Sequence, residues 1–87
     1  MKHGKIIDRS VIYDSADDYS DVEEIKGGLS CGAGATVSMP NLKKLGGGLF
    51  CYDSATVSLP ELTEIGWDLY CYEGAKLYAP KLKTKGV

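Results

Sequence analysis

Three cysteines at equal spacing are the residues of this 87-residue chain that first suggest chemistry. Cys31, Cys51 and Cys71 lie 20 residues apart from one another. A structural zinc site usually takes its thiolates from close pairs such as C-x₂-C, and the single histidine, His3, has no cysteine near it. We therefore expect no metal site, no cofactor and three free, buried thiols that pack as small apolar side chains.

The chain also lacks the common catalytic and nucleotide-binding motifs. The patterns G-x-x-x-x-G-K-[ST], H-E-x-x-H and G-x-S-x-G do not occur, and no helical pattern follows the glycine run at 46–48. We expect a protein that is not an enzyme and that has no catalytic residues.

The cysteine spacing belongs to a 20-residue repeat that runs through most of the chain. Seven positions hold residues of the same kind in three consecutive copies. They are Ile25/Leu45/Ile65, Leu29/Leu49/Leu69, Cys31/Cys51/Cys71, Ala35/Ala55/Ala75, Val37/Val57/Leu77, Pro40/Pro60/Pro80 and Leu42/Leu62/Leu82. One such unit is too small to enclose a core, so we expect the copies to stack and bury a continuous one.

Each copy has two segments with the alternation of a β-strand. The first reads Leu-x-Cys and the second Ala-x-Val-x-Leu, with apolar residues at every second position. Proline then ends the second strand, and the three-residue spacing of Leu42 and Leu45 predicts one helical or 3₁₀ turn. The sequence thus predicts an all-β protein, a short β-solenoid of about four 20-residue coils joined by 3₁₀ or helical turns.

We expect a single repeat domain over 1–87, with repeats at 26–45, 46–65 and 66–87. Residues 1–25 are expected to form a degenerate coil that caps the stack. Residues 13–16 match residues 52–55 in type, but Asp17 then stands where the core pattern requires an apolar residue. Lys85 likewise breaks the pattern near the other end, which predicts a polar, incomplete last coil.

Charge and hydropathy exclude several functional classes. The net charge of −2 argues against a nucleic-acid-binding protein, and no apolar run approaches the 18 residues of a membrane span. The N-terminal residues also lack the apolar stretch of a signal peptide. We expect a cytoplasmic protein that binds neither a membrane nor nucleic acid directly.

Outward-facing aromatic residues form the first candidate binding surface. Strand alternation directs one column of them outward from the first strand and a second column beside it, with two further aromatic residues nearby. They are Phe50, Tyr70, Tyr52, Tyr72, Trp67 and Tyr78. Two interpretations are open: aromatic stacking that stabilises neighbouring strands, or an interface for a protein partner.

Segregated charge provides the second candidate surface. Residues 8–24 hold seven acidic residues against one arginine, a net charge of −6, whereas residues 76–87 hold four lysines and no acid. The candidate binding residues at the acidic end are Asp14, Asp17, Asp18, Asp21, Glu23 and Glu24. Polar capping of both ends explains this pattern, and so does an acidic end that engages a basic, nucleic-acid-binding groove of a partner.

Residues 59–72, with the sequence L-P-E-L-T-E-I-G-W-D-L-Y-C-Y, resemble the short leucine-rich-repeat-like units common in proteins of phages and their bacterial hosts. Those units read L-P-x-L-x-x-I-G-G-x-L-x-C, and the resemblance covers residues 20–87. The repeat lacks the buried asparagine of the common leucine-rich repeat and has a proline before the turn. These differences leave open whether the coils form a horseshoe or a flatter β-solenoid.

The resemblance implies binding to a protein, because small acidic phage proteins include inhibitors of host defence, anti-CRISPR proteins among them. The first hypothesis is a non-enzymatic protein-binding module in the host cytoplasm. As a small phage-type inhibitor, it would occlude a host nucleic-acid-handling defence complex through the acidic end and the aromatic residues. The alternative is a self-associating structural repeat module, which forms a homodimer through one end of the solenoid. Exposure of Leu77 and Leu82 at that end would favour the alternative.

Overall fold

A computed structural model describes residues 4–14, 16 and 18–83 and shows a parallel β-solenoid of about four coils. The strands of these residues are short, and all the pairs between them are parallel. They are β1 (Ile6–Ile7), β2 (Val11–Ile12), β3 (Glu24–Ile25), β4 (Leu29–Cys31), β5 (Thr36–Ser38), β6 (Lys44–Leu45), β7 (Leu49–Cys51), β8 (Thr56–Ser58), β9 (Glu64–Ile65), β10 (Leu69–Cys71) and β11 (Lys76–Tyr78). The predicted all-β solenoid is confirmed.

Each full coil contributes one strand to each of three sheets. The strand orders are β1-β3-β6-β9, β2-β4-β7-β10 and β5-β8-β11. From the second coil onward the register equals the sequence repeat, so that Leu29 lies opposite Leu49 and Leu49 opposite Leu69. Identical columns therefore stack directly along the solenoid axis.

The third strand of each coil is an element that the sequence pattern did not predict. The predicted 3₁₀ turn takes the form of a single hydrogen-bonded turn, in which the Leu42 N–H donates to the Met39 carbonyl at 3.3 Å. The chain then becomes extended again as β6, which is hydrogen-bonded to a strand on either side. A two-residue strand has too few positions to show an alternation, and its backbone pairing determines its conformation.

Inward-facing columns form the core, as the alternation predicts. Both ends of β4 and of β7 are buried, and so are the centres of β5 and β8. Most inward-facing residues of the middle coils expose at most 1% of their surface, and Ala35 and Ile65 are partly buried. Among the fully buried ones are Leu29, Cys31, Val37, Leu42, Leu45, Leu49, Cys51, Val57 and Leu62. Their burial follows from the register, because each side chain lies between equivalent side chains of the neighbouring coils.

The first coil closes its end of the stack. It is two residues shorter than the others, since Ile7 pairs with Ile25 and Val11 with Leu29. The Tyr19 ring is 95% buried and lies 5.0 Å from the Tyr13 ring, centroid to centroid. The Tyr19 hydroxyl accepts a hydrogen bond from the Asp14 N–H at 3.2 Å, which provides its polar atom with a partner. The inward residues Ile7, Val11 and Val22 are consequently buried, whereas Ile6 and Ile12 on the outer faces are exposed.

This register also changes the alignment of the first coil. Ile12 pairs with Ser30, so that the next residue, Tyr13, follows the inward Cys31 column and is half-buried. Matching residues 13–16 to residues 52–55 by type places Tyr13 in the outward Tyr52 column instead. Residue type alone thus gives the wrong position for Tyr13.

The last coil leaves its end open within the described residues. Leu69, Leu77 and Leu82 are only partly buried, whereas their equivalents in the preceding coil are buried. The amide groups show the same difference. The Leu49 N–H donates to the Asp68 carbonyl of the next coil at 3.0 Å, but the equivalent Leu69 N–H points beyond the last described coil.

Cys71 contradicts the expectation of three buried cysteines. Cys31 and Cys51 are buried, but Cys71 is exposed, because no described coil lies beyond it. All three thiols are free, as expected.

One turn position in each full coil requires the left-handed backbone conformation. Gly34 and Gly74 occupy it with φ of 72° and 76°, and Ser54 occupies it in the coil between them with φ of 61°. Glycine adopts this conformation freely, whereas a residue with a Cβ pays about 1 kcal/mol in conformational energy.

Ser54→Gly is therefore expected to stabilise the protein by about 0.5–1 kcal/mol, since the change relieves the strain at this turn. Chemical denaturation measures the free energy of unfolding. Ser38→Gly is the matched control, because Ser38 lies in an extended strand, and it should destabilise by a similar amount. Equal effects of the two changes would contradict this account of the turn.

Candidate protein-binding surface

The aromatic columns lie on the outer face of the sheet that contains β7 and β10. Phe50 pairs with Tyr70 in the strand register, and their rings stack with centroids 5.1 Å apart and planes 4° apart. Tyr52 and Tyr72, one position beyond the strands, stack in the same way at 5.1 Å and 3°. We call these four residues the aromatic stripe. Its ring separation is close to the spacing of adjacent strands, so the backbone register directly produces the stacking.

Solvent reaches the edges of these rings. Tyr52, Tyr70 and Tyr72 each expose 40–46% of their surface, and Phe50 is half-buried beneath Tyr70. The Tyr70 hydroxyl donates a hydrogen bond to the Asp68 carboxylate at 3.1 Å. This bond and the negative charge of Asp68 raise the pKa of Tyr70, which keeps its hydroxyl protonated.

The other two aromatic candidates lie elsewhere on the last coil. Trp67 is 79% exposed in the turn between β9 and β10, and Tyr78 is 59% exposed on β11, in a different sheet from Tyr70. The most exposed aromatic side chains thus surround the last coil and extend beyond a single face. Tyr and Trp side chains in such positions can supply large contact area to a protein partner.

The acidic candidates are dispersed over the first two coils and take part in local contacts. The Asp14 carboxylate accepts a hydrogen bond from the Ala16 N–H, and the Asp18 carboxylate accepts one from the Ser20 N–H, both at 2.9 Å. These bonds stabilise the turns of the first coil. Asp21 is exposed, and Asp17 lies outside the described residues.

The register places acidic and basic residues opposite each other on adjacent coils. Glu23 lies 3.9 Å from Lys43, and Glu24 pairs in register with Lys44, which lies 3.7 Å from Glu64. Each exposed ion pair adds about 0–1 kcal/mol to stability. Lys43 and Lys44 of the second coil therefore reduce the local negative charge beside Glu23 and Glu24.

The cysteine column has the chemistry of a packed core. The hydrogen bond with the Cys31 thiol, together with burial, raises the pKa of the Cys51 thiol well above its usual range. Partial burial raises the pKa of the Cys71 thiol to about 11, and the neighbouring Cys51 thiol contributes to the same shift. Reactive cysteines have a lowered pKa, so none of these shifts favours a nucleophile.

The described residues contain neither a cluster of metal ligands nor a helix that could cross a membrane. No group of three or more His, Cys, Asp or Glu side chains among these residues is arranged to hold a metal ion. Residues 4–14, 16 and 18–83 also contain no helix of the length and hydropathy that a membrane crossing requires.

Two features of this surface were not predicted from the sequence. The role of Tyr19 as the cap of the first coil was missed, although a single tyrosine between Asp18 and Asp21 is a signal for a buried residue in a polar segment. The position of Trp67 depends on the unpredicted third strand, because Trp67 lies in the turn between β9 and β10.

The chain matches no protein-family model, no curated protein and no solved structure.

Thiol labelling tests the cysteine column. We expect Cys71 alone to react in the folded protein, with a rate that rises about tenfold per pH unit until the pH nears 11, since the thiolate is the reactive form. Cys31 and Cys51 should react only after denaturation. Mass spectrometry of the labelled peptides distinguishes the three sites. Labelling of Cys51 at the rate of Cys71 under native conditions would contradict the stacking of the last two coils.

Proposed function

We propose that the protein is a non-enzymatic protein-binding module and that its partner contacts the aromatic stripe. The observation that supports this is the outward exposure of Tyr52, Tyr70 and Tyr72 on one sheet of a rigid scaffold. Tyrosines with only two side-chain torsions lose little conformational entropy on binding, and they often dominate the energy of an interface.

Stacking prepares this surface for binding. Because each ring is already held against its neighbour in the next coil, a partner does not have to order the side chains, and preorganisation of this kind increases affinity. The same stacking also stabilises adjacent coils by about 0.5–1.5 kcal/mol for each aromatic pair. The two interpretations of the stripe are therefore compatible.

A narrower form of the proposal is a small inhibitor of the phage type, which occludes a nucleic-acid-handling defence complex of a bacterial host. In this form the acidic end supplies long-range attraction to a basic groove, and the stripe supplies the short-range contacts. Asp14 and Asp18 already accept hydrogen bonds within the first coil, so their role toward a partner is electrostatic.

Replacement of two stacked tyrosines tests the proposal. Tyr52→Ala/Tyr72→Ala should raise the Kd for the partner by at least about tenfold, mainly through faster dissociation. The partner is first selected by quantitative capture from bacterial lysate, and its binding kinetics are then measured with purified protein. Thermal unfolding of the variant measures separately how much stability the protein loses with the stacked Tyr52 and Tyr72 rings.

The matched control is Thr36→Ala/Thr56→Ala, which removes two outward residues that pair in register on another sheet. This control should bind like the wild type. If every captured protein binds the tyrosine variant and the wild type equally well, the stripe serves only to stabilise the coils and the proposal is wrong. For the inhibitor form, the association rate should also fall as ionic strength rises, and a rate that does not change with salt would exclude a role for the acidic end.

A further inference from the structure

The column of rings that contains Tyr52 and Tyr72 stops at Gly32. The Tyr52 N–H donates to the Cys31 carbonyl at 2.9 Å, which aligns Tyr52 with Gly32 of the preceding coil. Tyr72 stacks against one face of the Tyr52 ring, whereas Gly32 provides no side chain for the other face. No atom of the described residues outside the immediate neighbours of Gly32 lies within 4 Å of the position that a Cβ of residue 32 would take. The place of a third ring is therefore open.

The first coil positions Asp14 on the far side of this opening. The Tyr13 N–H donates to the Ser30 carbonyl at 2.9 Å, so the strand register continues beyond β2. The next residue, Asp14, is consequently aligned with Gly32. Adjacent strands are about 4.8 Å apart, so Asp14 and Tyr52 flank the opening at about one strand spacing on either side. We call this space, above Gly32 and between Asp14 and Tyr52, the Gly32 slot.

The slot has the width of one planar group. The Tyr52 and Tyr72 rings lie 5.1 Å apart with planes 3° apart, so one ring fills one strand spacing of this sheet. A planar group of similar thickness therefore fits over Gly32, against the open face of Tyr52. On the other side, the Asp14 carboxylate supplies a negative charge. Its Oδ1 accepts a hydrogen bond from the Ala16 N–H at 2.9 Å, which holds the carboxylate in place.

The charges around the slot are mainly negative. From two residues before to four residues after each of the strands β2, β4, β7 and β10, the sequence holds four acidic residues and one arginine, Arg9. The acidic residues, all exposed, are Asp14, Asp53, Asp68 and Glu73. A surface with this charge attracts a cationic group and repels a polyanion such as nucleic acid.

A guanidinium group matches both walls of the slot. It is planar and always positively charged, and it stacks on the face of an aromatic ring. The ammonium group of lysine is attracted by Asp14 but is compact and cannot stack as a plane. A neutral aromatic ring can stack on Tyr52 but gains nothing from the charge of Asp14. The combination of an open ring face and an opposing carboxylate therefore favours arginine.

We propose that the Gly32 slot binds an arginine side chain of the protein partner, with its guanidinium group stacked on Tyr52 and attracted by Asp14. This inference rests on the proposed function, because the slot is the unfilled end of the aromatic stripe, and it specifies the chemistry that the partner presents there. The bound arginine extends the column of stacked groups by one coil.

Filling the slot from within the chain provides the main variant. Gly32 does not have a positive φ, and tyrosine occupies the equivalent position in the next two coils, so Gly32→Tyr should fold and add a third ring to the column. Its melting temperature should be no lower than that of the wild type, while the new ring takes the place of the arginine. Gly32→Ala is the matched control, because it adds a Cβ and leaves the slot open.

The probe is N-acetyl-L-arginine amide, titrated into each protein and followed by NMR. In the wild type and in Gly32→Ala, millimolar probe should shift the amide of residue 32 and the ring protons of Tyr52, and Gly32→Tyr should bind it at least about fivefold more weakly. Asp14→Asn retains the acceptor for Ala16 and should weaken binding about two- to fivefold, whereas Asp8→Asn, before β2, should have no effect. N-acetyl-L-lysine amide should bind more weakly than the arginine probe.

Two results with the probes would overturn the proposal. One is the absence of these shifts in the wild type up to about 0.1 M arginine probe, and the other is equal binding of the lysine probe. The purified partner from the test of the stripe gives a separate check, since Gly32→Tyr should raise its Kd at least about tenfold. If Tyr52→Ala/Tyr72→Ala weakens that partner and Gly32→Tyr does not, only the slot is wrong. If neither change weakens it, the proposed function is wrong as well.

Discussion

Every inward-facing side chain of this solenoid depends on a coil above it and a coil below it. The equality of the sequence repeat and the strand register creates this dependence, because it stacks each column of residues on itself. A core built in this way has no side chain that reaches across several coils. Burial is therefore complete in the middle of the stack, whereas the inward-facing residues of each end coil need some other cover.

The two ends of the described chain differ in how they meet this requirement. The first coil is two residues shorter than the others, and the Tyr13 and Tyr19 rings pack against each other at this end of the stack. The last described coil instead continues the regular columns to the edge of the stack, so that Leu69 and Leu77 lack the cover that Leu49 and Val57 have. The inward residues of the first coil are consequently buried, whereas those of the last described coil are only partly so.

The sequence was most informative where the alternation spans three or more residues. It predicted the inward positions of Leu49, Cys51 and Val57, and with them the stacking of coils. It could not predict β3, β6 and β9, because two residues show no periodicity and their conformation depends on the neighbouring coils. The three-sided cross-section was missed for the same reason, since β3, β6 and β9 form its third sheet.

Position within the stack was the other property that residue type does not reveal. Cys31, Cys51 and Cys71 have the same local sequence pattern, yet only the last is exposed, because exposure depends on whether another coil packs against that residue. The acidic residues show the same limit. Their number suggested a continuous negative end, whereas the 20-residue register places Lys43 beside Glu23 and Lys44 opposite Glu24.

The dependence of each coil on its neighbours is the central claim of this account, and amide hydrogen exchange measured by NMR tests it most directly. At a concentration where the protein is monomeric, the Leu49 amide, which bonds to Asp68 of the next coil, should exchange slowly. The Tyr72 amide of the last coil, bonded back to Cys51, should also be protected. The Leu69 amide, which points beyond that coil, should exchange far faster than both. A Leu69 amide as well protected as the Leu49 amide in the monomer would show that the end is covered and would contradict the account.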